Sequence, residues 1–302
     1  MRVLSLADSR FGSQTRLIAA LGYGLLLVAI FAKPLWSLMA YAVGTDLHSH
    51  IVLVPLVTAY LIHIRRPQLP EVGKPSFGLA LFLGVIGLAA LAGRWSGRTA
   101  ALSENDGLAL MAFSFVCLLA AGGFVFLGRR WMTAAAFPVA FLLFIVPLPD
   151  GMTEWLETAS KLASAEASAL LFGLLGTPIL RDGVIFLLPG IVIEVAKECS
   201  GIRSSWVLFI TSLLASNLFL RSPWRRTLLV AFVIPLGILR NGIRIVVISL
   251  LCIEYGPQMI DSIIHRRGGP VFFALSLVPL FALLWWLRAS EARAAEPEKN
   301  RE

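Results

Sequence analysis

Long apolar runs recur along the whole chain and restrict it to folds in which lipid is the solvent. Because a bilayer core of about 30 Å needs about 20 apolar residues in a helix, eight stretches are candidates to cross it. They are Arg16–Trp36, Ser49–Ile64, Phe77–Gly93, Asp106–Gly128, Trp131–Leu148, Ile202–Leu220, Arg226–Leu251 and Val271–Arg288. Hydrophobic residues make up 58% of the chain and charged residues only 15%, which excludes an ordinary soluble domain. The sequence therefore predicts an all-α polytopic membrane protein with about eight transmembrane helices.

The segment between the fifth and sixth runs has a different pattern. Within Thr153–Gly176, charged residues interrupt apolar residues at helical spacing, which is typical of an amphipathic helix in the membrane interface. Val184–Leu188 and Ile191–Val195 then flank Pro189-Gly190, which predicts a short hairpin. We expect both features on the outer side of the membrane. The alternative, a tilted ninth span, would move Cys199 to the other side.

The net charge of +8 comes from Lys and Arg residues grouped between the apolar runs, so anionic headgroups explain it better than nucleic acid does. The distribution of these cations between the two sides predicts that both termini are cytoplasmic. The first run has no evident signal-peptidase site and is interpreted as a retained helix. One integral-membrane domain over residues 1–288 and a disordered cytoplasmic tail over 289–302 are predicted.

Two arginines lie within the seventh run, where an ionisable side chain costs at least about 2.5 kcal/mol. Arg240 and Arg244 are spaced i and i+4, so they share a helical face with Asn241 and Gly237. Pro235 interrupts the backbone hydrogen bonds one turn earlier. This face is expected to look into the protein, and it is a candidate functional site.

Counting helical rise places three reactive side chains at one depth. Arg244 lies 18 residues beyond Arg226, which is about 27 Å at 1.5 Å per residue and close to the outer boundary of the bilayer core. Cys199 opens the sixth run at that boundary, and His265 follows the seventh. A thiolate, an imidazole and a guanidinium are the groups that acyl transfer needs, for nucleophilic attack, proton transfer and oxyanion stabilisation.

Each of these residues also has a plainer interpretation. The cysteine could be a packing residue, since free cysteine behaves as a small apolar side chain. Arg244 could form a structural ion pair with Glu254 or Glu198, and His265 could be an ordinary interfacial residue. The residues alone leave the catalytic and the structural interpretations open.

No metal or cofactor is predicted. Cys117, Cys199 and Cys252 form no CxxC pair, so neither a disulfide framework nor a zinc site is indicated. His48-Ser49-His50, with Asp46 nearby, could chelate a metal when extended, but no second acidic or histidine cluster accompanies it on the outer side. Hydrogen bonding at the start of the second span is the favoured interpretation.

Four segments together resemble the exosortase/archaeosortase family, a bacterial exosortase more than an archaeosortase. The resemblance extends from Asp46 to Phe273, and the cysteine segment is its most specific part. The glycine that the family carries after the first histidine is Ile51 here, and Arg266-Arg267 follow His265. The segments are Asp46 to Pro55, Glu198-Cys199-Ser200-Gly201-Ile202-Arg203-Ser204, Asn241-Gly242-Ile243-Arg244-Ile245 and His265 before the last span.

The resemblance implies a membrane cysteine transpeptidase with Cys199 as nucleophile, Arg244 as transition-state stabiliser and His265 as acid/base. It implies that exported proteins with a C-terminal PEP-CTERM signal are cleaved through a thioester at the periplasmic face of the bacterial inner membrane. Exopolysaccharide-assembly proteins are further expected partners, with the bilayer itself. The alternative is a non-catalytic transporter or scaffold for exopolysaccharide export. The supporting residues are Glu198, Ser200, Gly201, Arg203, Arg240, Asn241 and His50.

Overall fold

The computed structural model describes residues 2–95, 102–195, 201–261 and 269–299. Within these ranges the chain is helical apart from one small sheet. It falls into two compact units, Met1–Met152 and Thr153–Glu302, where the sequence predicts one domain. The helices are α1 Arg2–Ile30, α2 Ala32–Gly44, α3 Val54–Arg65, α4 Phe77–Trp95, α5 Glu104–Phe126, α6 Arg129–Ala134, α7 Ala136–Phe141, α8 Asp150–Leu174, α9 Ile202–Phe219, α10 Pro223–Tyr255 and α11 Gly269–Lys299.

The polytopic all-α architecture is confirmed, but the count of eight spans is not. In the described ranges five helices are long and apolar enough to cross a membrane: α4, α5, α9, α10 and α11. Two further pairs qualify only as bent spans, Gln14–Ile30 with Ala32–Gly44 and Ala136–Ile145 with Asp150–Leu174. The structure therefore has five to seven candidate spans, and it is that of a multi-pass membrane protein.

The predicted first span is broken because of a proline. α1 ends at Ile30 and α2 begins at Ala32, and the two helices are bent by 70° at Phe31. Pro34 has no N–H to donate to the carbonyl of Ile30, so the hydrogen-bond ladder of α1 cannot continue through it.

The predicted second and fifth spans also differ from single crossings. α3 has 12 residues, which is about 18 Å of rise and too short for a bilayer core. The fifth run divides into α6, α7 and a 3-10 turn at Leu142–Ile145. Pro138 cannot donate to the carbonyl of Ala134, which is where α6 ends.

Close helix packing in the first unit depends on small residues. A Cβ at Gly87 of α4 would lie 3.2 Å from Cβ of Cys117 on α5, so these two helices approach closely at this point. At the N-terminus of α5, the side-chain amide of Asn105 donates to the carboxylate of Asp150 and to the carbonyl of Leu148, each at 2.7 Å. These bonds fix the start of α8 relative to α5.

The second unit contains the candidate site. α9, α10 and α11 match the predicted sixth, seventh and eighth spans and share a core with Leu208, Leu229 and Leu280 fully buried. α11 continues beyond Ala289, where the sequence predicts a disordered tail, to Lys299. Glu291 on this extension accepts hydrogen bonds from the backbone N–H groups of Arg221 and Ser222.

The predicted amphipathic helix and hairpin are both present. α8 buries Ser164, Ser168 and Phe172, and its outer surface carries both apolar and acidic side chains, among them Leu170, Leu174, Glu154 and Glu166. The two predicted strands pair antiparallel across Pro189-Gly190, and a third strand, which the sequence analysis missed, pairs with the first of them. The strands are β1 Leu180–Asp182, β2 Ile185–Leu188 and β3 Ile191–Glu194, in the order β1-β2-β3.

The sheet is anchored on the helices that form the site. Phe186 and Leu188 of β2 are buried in one cluster with Phe172 of α8 and with Ile245 and Val246 of α10. This cluster gives the small sheet the hydrophobic support that an isolated hairpin lacks.

Candidate active site around the Gly201 turn

Gly201 precedes α9 in a left-handed conformation that only glycine adopts without strain. Its φ is +70° and its ψ is 8°. A Cβ at this position would lie 2.9 Å from Oδ1 of Asn241 and 3.1 Å from Nη2 of Arg240. Glycine is therefore favoured at position 201 for two reasons: the backbone conformation, and the two α10 side chains that lie against the turn.

The carbonyl of Gly201 is an acceptor for three groups. Nη2 of Arg240 donates to it at 3.0 Å, the N–H of Ser205 at 3.1 Å and the hydroxyl of Ser204 at 3.2 Å. Nη2 of Arg240 also lies 3.0 Å from the Ser205 hydroxyl. The start of α9 is thus joined to α10 at the Arg240 turn.

Arg240 is a buried cation with neutral partners. Its residue exposure is 7%, and its Nη1 atom is buried with no hydrogen-bond partner in the described part of the chain. Glu166 pairs with Arg181 and Glu291 with Arg225, and Arg240 has no ion pair to a carboxylate among the described residues. A buried guanidinium without a counter-ion is costly for folding, and such groups usually serve a function.

Asn241 connects this turn to α8. It is 2% exposed, and its Nδ2 atom donates to the Ser164 hydroxyl at 3.0 Å. A Cβ at Gly242 would lie 3.0 Å from Cβ of Ala167, so α8 and α10 are in close contact here. The Ser168 hydroxyl lies at this contact between α8 and α10. It donates to the carbonyl of Ser164 at 2.8 Å and to the carbonyl of Gly242 at 3.4 Å.

α9 and α10 approach equally closely one turn earlier. A Cβ at Gly237 would lie 2.8 Å from the hydroxyl of Ser205, so only glycine leaves room for the bond between Ser205 and Arg240. Arg244 is half-buried one helical turn beyond Arg240. Like charges at this spacing repel each other, which makes the pair costly for α10 by itself.

A model of the transmembrane exosortase family matches residues 43–282, which is well over half of the 302-residue chain. The chain belongs to the transmembrane exosortase family. Comparison with curated proteins and with solved structures gives no match.

The exosortase motifs are only partly within the described residues. Gly201, Arg240 and Asn241 come together in the structure, Arg244 follows on the same helix, and Arg203 is exposed in the first turn of α9. Four of the predicted site residues lie outside the described ranges, so their placement relative to this turn stays a prediction. They are Glu198, Cys199, Ser200 and His265.

The first exosortase motif lies in the other compact unit. His50 is half-buried, and its Nδ1 donates to the carbonyl of Leu47 at 3.1 Å. Its neighbour His48 is 3% exposed, and neither of its ring nitrogens has a hydrogen-bond partner among the described residues. Burial, and after it the charge of His50, lowers the pKa of His48 to about 4. In the described ranges no three His, Cys, Asp or Glu side chains converge as a metal site.

Three serines of this exosortase site were missed by sequence reasoning. Ser164 and Ser168 belong to the amphipathic helix, and Ser205 to the sixth span. Ser164 and Ser168 are spaced i and i+4 in an alanine-rich stretch, which indicates a face for close helix contact. Which helix they contact was not visible in the sequence, because the contacts join residues 74 and 77 positions apart.

Proposed function

We propose that this exosortase is a membrane cysteine transpeptidase that cleaves the C-terminal sorting signal of exported proteins at the outer face of the cytoplasmic membrane. The observation that carries the proposal is the fixed turn at Gly201. This turn follows Cys199 by two residues and is held by Arg240 and Asn241, one helical turn before Arg244. Two residues of chain span at most about 7 Å, so the cysteine is tethered close to this arginine-bearing face.

The proposed reaction has two balanced steps. In the first, the Cys199 thiolate adds to the scissile carbonyl, the C–N bond breaks, and His265 gives a proton to the leaving amine. In the second, an acceptor nucleophile adds to the thioester, its proton passes to His265, and the C–S bond breaks. Arg244 stabilises the negative charge on the carbonyl oxygen in both steps.

The two arginines have different tasks in this scheme. Arg240 uses Nη2 on the Gly201 carbonyl and the Ser205 hydroxyl, so its role is to position the turn. Arg244 is half-buried, and in this scheme its guanidinium faces the carbonyl oxygen of the bound substrate. Cations near a cysteine favour the thiolate form, which is the nucleophile.

The membrane supports this chemistry by confining the reactants. A sorting signal with a short Pro-Glu-Pro-type motif, an apolar helix and a basic tail would insert its helix beside the enzyme. Its motif would then lie at the outer interface, which is where α9 begins in the predicted topology. Two reactants held in one plane need only weak contacts to meet productively.

The decisive experiment follows a secreted reporter protein that ends in such a signal, co-expressed with the full-length exosortase. Cys199→Ala is expected to abolish processing of the precursor, because no other group can form the thioester. Cys117→Ala is the matched control, since Cys117 is buried in α5 in the other unit. Processing of the reporter at the wild-type rate by Cys199→Ala would refute the proposal.

Mass analysis of the processed reporter separates transfer from hydrolysis. Transpeptidation predicts that the new C-terminal carbonyl carries the mass of an acceptor, whereas hydrolysis predicts a free carboxylate. The reporter released by wild-type enzyme is compared with the same protein truncated genetically at the cleavage site. We expect an added mass on the enzymatic product only.

A further inference from the structure

The three-stranded sheet has an open edge directly before the cysteine segment. Leu188 and Ile191 pair on either side of a two-residue turn. The N–H of Val195 donates to the carbonyl of Val184 at 3.0 Å. Hydrogen-bonded positions alternate along an antiparallel pair. Ile191, Ile193 and Val195 therefore direct their backbone groups to β2.

By the same alternation, Val192 and Glu194 direct their N–H and C=O groups away from β2. Val192 is 62% exposed, and Glu194 is also exposed. Among the described residues no hydrogen bond reaches this outer edge from another element. The edge thus presents two backbone donors and two backbone acceptors, which is the template that an added strand uses.

The opposite edge of the sheet is a poorer template. β1 has three residues, and its pairing with β2 leaves only Arg181 directed outward. The Arg181 side chain is held by both carboxylate oxygens of Glu166 on α8, at 2.6 and 2.8 Å, and its Nε donates to the carbonyl of Gly183. The two edges of one sheet therefore differ in length and in what covers them.

The open edge is anchored in the hydrophobic core and precedes the proposed nucleophile in the sequence. Val195 is 1% exposed and belongs to the cluster that joins the sheet to α8 and α10, the helices that hold the Gly201 turn through Asn241. Cys199 follows Glu194 by five positions, a reach of at most about 17 Å. The length of this connection therefore keeps the Cys199 thiol within reach of a strand that pairs with β3 at Glu194.

We propose that the outer edge of β3 binds an extended segment of the polypeptide substrate as a fourth strand and guides its scissile bond to Cys199. The inference rests on the proposed function, because it assigns the substrate's docking surface for that reaction. Backbone pairing gives affinity for any extended segment, and alternate side chains add selectivity. A second copy of this chain is a less suitable occupant, because it would fill the edge that leads to the nucleophile.

The first test removes one edge donor and leaves the sheet intact. Val192→Pro deletes an outward N–H and keeps the ladder to β2, since proline is tolerated where the N–H faces away from the partner strand. With purified full-length enzyme and the sorting-signal reporter, we expect KM to rise at least tenfold with little change in kcat. Val192→Ala, which keeps the N–H, should retain more activity than the proline variant.

Arg181→Pro is the matched control, because it removes the single outward N–H of the opposite edge. It is expected to leave KM unchanged. Thermal unfolding in detergent identifies any variant that has simply lost its fold. Equal KM values for wild-type enzyme and Val192→Pro would overturn the docking proposal.

The second test detects contact directly. A benzophenone amino acid is placed at position 192 or, as control, at Leu180 on β1, in full-length Cys199→Ala enzyme so that bound reporter is not consumed. We expect light-dependent cross-links to the reporter from position 192 and none from position 180. Cross-links to a second copy of the enzyme, or none at all, would overturn the proposal.

The failure of this inference is distinguishable from failure of the proposed function. If Cys199→Ala processes the reporter, the transpeptidase proposal itself is wrong. If Cys199→Ala is inactive while Val192→Pro behaves as wild type and position 192 gives no cross-link, only the docking surface is wrong.

Discussion

Nη2 of Arg240 lies 3.0 Å from the carbonyl oxygen of Gly201, although 39 residues separate the two in the sequence. The bond joins the middle of one membrane helix to the first turn of another. Because Gly201 is two residues from Cys199, this contact fixes one end of the cysteine segment. The bond also places a buried positive charge against a backbone carbonyl, and a site with a purely structural role would not need that charge.

Replacing Arg240 is expected to lower the processing activity without lowering the thermal stability. Arg240→Met removes a buried cation that has no carboxylate partner among the described residues, and the Gly201 carbonyl keeps its bonds from Ser204 and Ser205. Thermal unfolding in detergent should therefore be unchanged or shifted upward. Reporter processing should fall at least about tenfold, because the turn is less well positioned. A large loss of thermal stability would mean that Arg240 is mainly structural.

The left-handed turn gives a second prediction. Gly201→Ala is expected to cost about 1–2 kcal/mol from the backbone conformation alone, and its Cβ would also collide with Asn241. Processing of the reporter should be lost in the Gly201→Ala variant. Gly173→Ala is the control, since a Cβ there meets nothing within 4 Å and α8 should gain about 0.5–1 kcal/mol. Chemical or thermal unfolding of both variants measures this difference in stability. Equal effects of the two substitutions would contradict the prediction.

Arg244→Lys discriminates between catalysis and export of an anionic polymer. Lysine keeps the charge but not the planar fork, so a role in oxyanion stabilisation predicts a loss of about 10²-fold in the processing rate. A transport path for an anionic glycan needs only positive charge and predicts a mild effect. Arg288→Lys serves as control, because Arg288 lies on α11 over the ring of Phe219 and outside the proposed site. A mild effect of Arg244→Lys on processing would favour the transporter interpretation.

His48 is expected to make the first unit sensitive to acid. Its pKa is lowered to about 4 in the folded chain by burial and by the charge of His50, and Asp150 opposes the shift. The unfolded chain takes up a proton near pH 6.5, so stability is lost as the pH falls from about 6.5 to about 4. His48→Phe keeps the ring contact with Tyr41 and should weaken this dependence. Unfolding midpoints of the wild-type protein and of His48→Phe, measured across this pH range, test the prediction. Identical pH profiles for the two proteins would refute it.

Glu291 predicts a structural role for the last helix beyond its membrane span. Its carboxylate accepts from the N–H groups of Arg221 and Ser222 and lies 3.5 Å from Arg225. Since bonds to a charged group contribute about 1.5–3 kcal/mol each, Glu291→Ala should destabilise by about 2 kcal/mol. Glu166→Ala, which breaks an exposed ion pair, should cost less than about 1 kcal/mol. Unfolding in denaturant should rank the two in that order.

The sequence predicted those parts of the fold that depend on local periodicity. The third, fourth, sixth, seventh and eighth runs are helices at the predicted places, and the Pro189-Gly190 hairpin is present. Hydropathy alone does not predict the broken spans, because it takes no account of the helix-breaking effect of Pro34 and Pro138. β1 was missed although Asp182-Gly183 is a turn signal, because three residues are too few for a visible strand pattern.

The candidate site was predictable only in its residue types. Arg240, Arg244 and Asn241 stood out because charged and amide groups are costly in lipid. Their partners did not: Ser164 and Ser205 are ordinary helix residues, and nothing local distinguishes them. The roles of Cys199 and His265 stay predictions from the family motifs, since both lie outside the described residues.

The sequence by itself determined that this chain is a multi-pass membrane protein, that it belongs to the exosortase family, and which helix bears the arginines. These follow from hydropathy and spacing, which act within one helix or one turn. Only the tertiary structure decided which arginine holds the Gly201 turn, which serine meets Asn241, and which edge of the sheet stays open. Those outcomes depend on how segments far apart in the chain pack, for example at Gly237 and Gly242, where an added methyl group would force neighbouring atoms to shift.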